Sequence, residues 1–158
     1  MIRAPLWALP LTLLLGCLGG GSDNPPPEPA GAEARLAYNA LCRSCHQLDG
    51  RGVPPAFPPL EGHIGKLAAA DRAYLSRVSV YGLEGELNVG TAAYNGVMPP
   101  VMGTDKDIAN AMNHAIHSWG NEAFLPEGFA PYTAEDVAAA RAEKLTAARV
   151  RMGRPGVK

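Results

Sequence analysis

Apolar residues recur every three or four positions in two stretches of this chain, a spacing that aligns side chains along one face of an α-helix. The first stretch predicts a helix over 68–81, with Asp71 near its start and Gly82 as the residue that ends it. Its apolar face indicates contact with a core and no chemistry of its own. That face consists of Leu67, Tyr74, Leu75, Val78 and Tyr81.

The second helical pattern, over 104–119, is the clearest in the chain. Thr104 and Asp107 form a capping-box pattern at its start, and Gly120 closes it. We expect its apolar face to pack on an earlier helix over 32–45, a segment rich in helix-forming residues. The face consists of Ile108, Ala111, Met112, Ala115, Ile116 and Trp119.

Three further segments have weaker patterns. Residues 47–62 are interrupted by glycines and prolines and predict a loop. Short β-prone pieces around Gly90 predict a small hairpin or Ω-loop over 84–96. Thr133 and Asp136 repeat the capping pattern and predict a peripheral C-terminal helix. Its C-terminal end is basic, with Arg149, Arg151 and Arg154. We interpret this end as solvated rather than as a binding site for an acidic partner.

Residues 1–16 predict an exported protein, because Arg3 precedes an apolar run of signal-peptide length that is too short to span a bilayer. The run ends in Leu14-Leu15-Gly16-Cys17, which resembles the lipobox of bacterial lipoproteins and predicts acylation of Cys17. The alternative is an ordinary secretory signal that leaves Cys17 as a free thiol. Leu18 stands where an Asp would retain such a lipoprotein in the inner membrane, so we expect the periplasmic side of the outer membrane.

Residues 17–30 are rich in glycine and proline and predict a tether, which would hold a small domain clear of a membrane surface. The chain has 158 residues, of which 47% are hydrophobic and 18% charged, so it allows one modest domain. Only 6% are aromatic, which leaves room for a large cofactor to supply apolar core. A formal net charge of -1 argues against a nucleic-acid partner.

Cys42-Arg43-Ser44-Cys45-His46 is a C-x-x-C-H pentapeptide, the pattern typical of covalent attachment of one c-type haem. The two thiols can each form a thioether with a haem vinyl group, and the adjacent imidazole can bind the iron. A thioredoxin-like redox pair would need a βαβ setting, which the surrounding sequence does not show. A zinc site would need a second ligand pair at metal spacing, and the other histidines, His63, His114 and His117, are scattered.

A six-coordinate electron-transfer haem needs a second axial ligand, and a thioether favours the reduced iron. Met98 is our candidate, because Pro99 and Pro100 stiffen the segment beside it. Met102 and Met112 are the alternative candidates for this ligand, although Met112 falls on the apolar face of the second helix. His63 is an ordinary polar position, and His114 and His117 lie off that face, which favours solvated polar positions over a ligand role.

Several motifs taken together resemble a small bacterial class I cytochrome c over about residues 31–122. They are Cys42 to His46, Asp49-Gly50-x-Gly52, Phe57-Pro58-Pro59-Leu60, Tyr94 to Pro100, Asp107-Ile108-Ala109 and Ser118-Trp119-Gly120-Asn121. The resemblance implies an all-α fold of three main helices around one haem, with His46 and Met98 as axial ligands. It also implies that the Pro58 carbonyl accepts from the His46 imidazole and that Leu60 packs on the haem. His114 departs from the pattern, since the family commonly has an aromatic residue there, near Tyr38.

The implied function is one-electron transfer between periplasmic or membrane-bound redox proteins, with no catalysis by the chain alone. Two alternatives are kept: a haem enzyme or gas sensor with an open distal site, and a cytochrome subunit tightly bound in a dehydrogenase or reductase. The predicted organisation is a signal peptide over 1–16, a lipidated tether over 17–30, a haem domain over 31–122 and a C-terminal extension over 123–158.

Overall fold

The computed structural model describes residues 31–157. The predicted signal peptide, Cys17 and the predicted tether therefore lie outside the described residues. The remaining chain is mostly helical with one small sheet, and the predicted all-α architecture is confirmed. The elements in order are α1 (Gly31–Leu41), α2 (Arg43–His46), α3 (Ile64–Ala70), α4 (Arg72–Tyr81), β1 (Leu83–Val89), β2 (Ala92–Met98), α5 (Asp105–Ile116), α6 (Ala134–Ala142) and α7 (Ala147–Met152), with a short 3₁₀ turn at Asn121–Phe124 between α5 and α6.

Helices α1 and α5 form the most extensive helix pair in the described chain, as the apolar pattern predicted. Ala37 and Tyr38 of α1 pack against Ala111 and Ala115 of α5, and all four side chains are buried. The small alanine side chains allow the two helices to approach closely. Thr104 caps α5, because its hydroxyl oxygen accepts the backbone N–H of Asp107 at 3.1 Å, which confirms the predicted cap.

The single helix predicted over 68–81 is instead two helices that meet at Asp71. Asp71 has an extended backbone, with φ -148° and ψ 102°, so α3 cannot continue through it. Its carboxylate accepts the backbone N–H of Ala73 at 3.0 Å and starts α4 as an N-cap. The prediction was wrong because an aspartate inside an apolar period was treated as a helical residue rather than as a cap.

The segment predicted as a hairpin or Ω-loop is an antiparallel hairpin. Strands β1 and β2 are joined at Gly90, and the register pairs Leu83 with Met98 at its open end. Leu83 directly follows Gly82, the residue that ends α4. Strand pairing therefore places Met98 beside the C-terminus of α4, although the two are well separated in the sequence.

The C-terminal extension contains two helices rather than one, and it is part of the core rather than peripheral. Val137 of α6 is 0% exposed and Val150 of α7 is 2% exposed. Arg72 of α4 holds the segment before α6, donating to the Pro131 carbonyl at 2.8 Å and to the Asp136 carboxylate at 2.9 Å. The expectation of a peripheral helix was wrong, because a few apolar side chains are enough to pack a helix against the core when each of them is buried there.

None of the helices between residues 31 and 157 combines the length and the apolar character that crossing a membrane requires.

Candidate haem site

The pentapeptide Cys42–His46 forms a single helical turn directly after α1. The Cys42 carbonyl accepts from the backbone N–H of Cys45 at 3.2 Å and from that of His46 at 3.0 Å. This turn brings two half-buried thiols, neither in a disulfide, and one buried imidazole together. Burial, with a smaller effect of Cys45, raises the pKa of the Cys42 thiol to about 11, so that thiol is neutral at pH 7.

The imidazole of His46 is fixed by the loop that follows it. Its Nδ1 atom lies 3.0 Å from the carbonyl oxygen of Pro58, the carbonyl nominated from the resemblance. Burial lowers the pKa of His46, with a smaller opposing effect of this hydrogen bond, which favours the neutral ring. A carbonyl can only accept, so the neutral ring carries its proton on Nδ1 and keeps a lone pair on Nε2. Nε2 is therefore available to a metal.

The loop over 47–62 is closed by backbone hydrogen bonds around this histidine. The N–H of Gly52 donates to the His46 carbonyl at 3.1 Å, and the N–H of Leu60 donates to the Gly50 carbonyl at 2.7 Å. Gly52 has φ +64°, and a Cβ there would overlap the carbonyl oxygens of Phe57 and Pro58. Glycine is therefore required for the loop to bring the Pro58 carbonyl to the imidazole.

Two adjoining cavities share His46, Pro58 and Met98 in their walls. The larger contains about 860 Å³ of atom-free space, part of it open to solvent, and is also lined by Cys42 and Leu60. The smaller contains about 590 Å³ and is also lined by Cys45. The two cysteines therefore line different cavities, and both cavities are mainly apolar. Such a space between two thiols, a neutral imidazole and a thioether fits a flat, apolar macrocycle with a central metal.

The backbone of Met98 is held by α4. A Cβ on Gly82 would overlap the Met98 carbonyl oxygen, and the N–H of Val101 donates to the Ser79 carbonyl at 2.8 Å. Of the two alternative candidates, Met102 is 86% exposed, while Met112 is buried in α5 and lines the larger cavity.

The remaining histidines differ from their predicted positions in one case. His114 is only 7% exposed, so the solvated position expected for it was wrong. Its ring centroid lies 5.0 Å from that of Tyr38 and 5.8 Å from that of Trp119, so His114 packs where the resemblance implies an aromatic residue. His117 is half-buried at the C-terminus of α5. His63 lines the larger cavity, with Nδ1 2.8 Å from the Glu61 carbonyl oxygen.

Sequence analysis did not place Tyr74 or Arg154 at the haem site. Tyr74 of α4 and Arg154, which follows α7, both line the larger cavity. Tyr74 was assigned to a core face, and Arg154 to a solvated terminus. The prediction that Tyr74 is buried was correct. The position of Arg154 depends on the packing of α7 against α4 and β1, which no local sequence signal indicates.

Comparison with known proteins adds a family match and three relatives. The family model described as Cytochrome c matches residues 30–117. Cytochrome c-552 of Thermus thermophilus is 45% identical over 114 residues, covering 70% of this chain and 86% of the relative. A second cytochrome c-552 from Thermus thermophilus has the same identity over the same length and is covered to 76%.

A third relative is the cytochrome c subunit of the quinone alcohol dehydrogenase of Gluconobacter oxydans. It is 35% identical over 107 residues, covering 66% of this chain but only 20% of the relative. The family match contains the pentapeptide, Met98 and the α1–α5 pair, and it ends before α6 and α7 begin.

Proposed function

This chain belongs to the cytochrome c family, and on that basis we propose that His46 and Met98 are the two axial ligands of its haem iron. The family match establishes a covalently bound haem c and haem-based electron transfer without catalysis, and the Cys42 and Cys45 pair fits the attachment motif. The observation that carries the ligand proposal is that the His46 imidazole and Met98 line the same two cavities.

When bound, the haem supplies one-electron exchange between ferrous and ferric iron. The residues around it hold both ligands in place, so that little rearranges on oxidation. His46 is oriented by the Pro58 carbonyl at 3.0 Å, and Met98 by its strand pairing with Leu83 and by the close contact with Gly82. The mainly apolar lining, which includes Leu60, would give the iron a surrounding of low polarity.

We propose that a redox partner docks over the smaller cavity. Phe57 and Val97 line it and are 38% and 69% exposed, so apolar side chains reach solvent beside Cys45. A small apolar patch of this kind suits a weak, transient complex. Donor and acceptor are proposed to be respiratory redox proteins on the periplasmic side of a bacterial membrane, with the chain anchored in the outer membrane through Cys17.

Optical spectra of the purified protein, oxidised and reduced and with and without carbon monoxide, test the ligand proposal. The expected result is a low-spin iron with a sulfur-to-iron charge-transfer band and no response to carbon monoxide. A high-spin iron that binds carbon monoxide at once would contradict Met98 ligation and favour a catalytic or gas-sensing haem.

A second candidate is a cytochrome subunit held in a larger oxidoreductase, which the similarity to the Gluconobacter subunit favours. Affinity purification from detergent-solubilised membranes distinguishes the two. A free carrier is recovered alone at physiological salt, whereas a subunit is recovered with a catalytic chain in a fixed ratio.

A further inference from the structure

The larger haem cavity contains a buried hydroxyl without a partner. Tyr74 is 2% exposed, and its hydroxyl has no hydrogen-bond partner among residues 31–157. A buried phenol normally finds one, because an unsatisfied donor costs free energy. Since Tyr74 lines the cavity, a bound molecule with an acceptor oxygen would satisfy it.

A positively charged side chain also lines this cavity. Arg154 is partly buried and lines the cavity, where the other titratable side chains among the described residues are Cys42, His46, His63 and Tyr74. No Asp or Glu is part of that described lining, and no ion pair to Arg154 is formed within residues 31–157. A guanidinium beside an apolar cavity is stabilised when it is paired with an anion.

The two side chains are brought together by helix packing. Val150 anchors α7 in the core, and the N–H of Arg154 donates to the Arg151 carbonyl at 3.1 Å, which forms a turn directly after the helix. Helix α7 packs directly on α4, which carries Tyr74. The charge of Arg154 acts on the phenol and lowers its pKa, although burial has the larger effect and raises it.

We propose that Arg154 and the Tyr74 hydroxyl together hold one of the two carboxylates of the haem. The carboxylate accepts from the phenol and pairs with the guanidinium, a charge-assisted arrangement that suits arginine. The C-terminal extension, which lies outside the family match, thereby supplies a part of the haem site. The inference rests on the covalent haem and not on the identity of the axial ligands.

The experiment is a ¹³C NMR titration of the haem carboxylates in the reduced holoprotein, labelled through the haem precursor 5-aminolevulinate. In Arg154→Gln the pKa of one carboxylate is expected to rise by about one unit or more, the size typical of losing an adjacent opposite charge. Arg149→Gln is the matched control, because Arg149 is exposed on α7, the helix that precedes Arg154, and this variant loses the same charge. It should leave both carboxylates unchanged.

Tyr74→Phe removes only the hydroxyl and keeps the ring in the core. It should raise the pKa of the same carboxylate by a smaller amount, and it provides a second route if Arg154→Gln does not assemble. The inference would be overturned if the carboxylate pKa values were the same in Arg154→Gln and Arg149→Gln, or if Tyr74→Phe left them unchanged. If the parent has the spectrum of a haem with histidine and methionine ligands but the variants show no shift in the carboxylate pKa, only this inference is contradicted. If the parent does not have that spectrum, the ligand proposal is contradicted.

Discussion

The carbonyl oxygen of Pro58 lies 3.0 Å from Nδ1 of His46, and it reaches that position because Gly52 leaves room for the backbone that carries it. The two residues are twelve positions apart, so the orientation of the imidazole depends on how the whole intervening loop folds. This dependence can be tested without changing either residue.

Gly52→Ala is expected to weaken the hydrogen bond from His46 to Pro58, because the added Cβ would overlap the Pro58 carbonyl oxygen. A weaker bond makes the imidazole a less basic ligand, which stabilises ferric iron less and raises the midpoint potential. The variant should also lose about 2–4 kcal/mol of stability from strain and overpacking. Redox titration and guanidinium unfolding measure the two effects.

Gly62→Ala is the matched control for this prediction. Gly62 has φ +70°, close to the +64° of Gly52, but a Cβ there would meet no atom within 4 Å. It should cost about 1–2 kcal/mol from the left-handed backbone alone and leave the midpoint potential unchanged. Equal potentials in both alanine variants would show that the Pro58 contact does not tune the haem.

Met98→Ala should keep the covalent haem, which depends on Cys42 and Cys45, but open one axial position of the iron. The reduced variant is expected to bind carbon monoxide and to have a lower midpoint potential than the parent, because a thioether favours the reduced iron. Carbon monoxide difference spectra give the first result and redox titration the second. Met102→Ala is the control, since that side chain is 86% exposed and should behave as the parent does. A carbon monoxide response confined to Met102→Ala would reverse the assignment.

The parts of the fold that were predictable from the sequence are those specified by local chemistry. The pentapeptide contains its own thiols and imidazole, and Thr104 with Asp107 caps α5 with adjacent atoms. The hairpin around Gly90 was also anticipated. Each of these signals lies within a few residues, so no knowledge of the tertiary structure was needed.

The parts that failed depend on contacts between distant segments. His114 lies off the apolar stripe of α5, yet it is buried because α5 is covered on more than one side: Ile108 and Met112 face the main core, and His114 lies against Tyr38 and Trp119. The position of Arg154 depends in the same way on how α7 packs. Periodicity identifies one buried face and gives no indication of a second.

Cys17→Ser tests the proposed lipid anchor. The variant should move from the membrane fraction to the soluble periplasmic fraction, because the serine hydroxyl cannot receive the thioether-linked lipid. Cell fractionation followed by haem staining measures the distribution. Leu18→Asp is the companion variant, which should remain membrane-bound but shift to the inner membrane. A Cys17→Ser protein that stays in the membrane fraction would contradict lipidation.

Tyr132 links the C-terminal extension to α4, and its ionisation should make the folded protein less stable at alkaline pH. The phenol is buried and donates to the Arg72 carbonyl at 2.9 Å. Burial raises the pKa of Tyr132, and the smaller effect of Arg72 lowers it. In the unfolded chain the phenol ionises near pH 10, roughly its ordinary value. Above that pH the unfolded state binds fewer protons than the folded state, so stability falls as pH rises.

Tyr132→Phe separates this ionisation from the lost hydrogen bond. Below pH 9 the variant should be less stable than the parent by about 0.5–1.5 kcal/mol, the typical contribution of one hydrogen bond. Above pH 10 the parent loses up to about 1.4 kcal/mol per pH unit through this group, and the variant does not. The difference between the two proteins should therefore shrink and then reverse between pH 10 and 11.5. Guanidinium unfolding followed by far-ultraviolet circular dichroism at pH 7, 9, 10.5 and 11.5 measures it, and a constant difference across that series would contradict the shifted pKa.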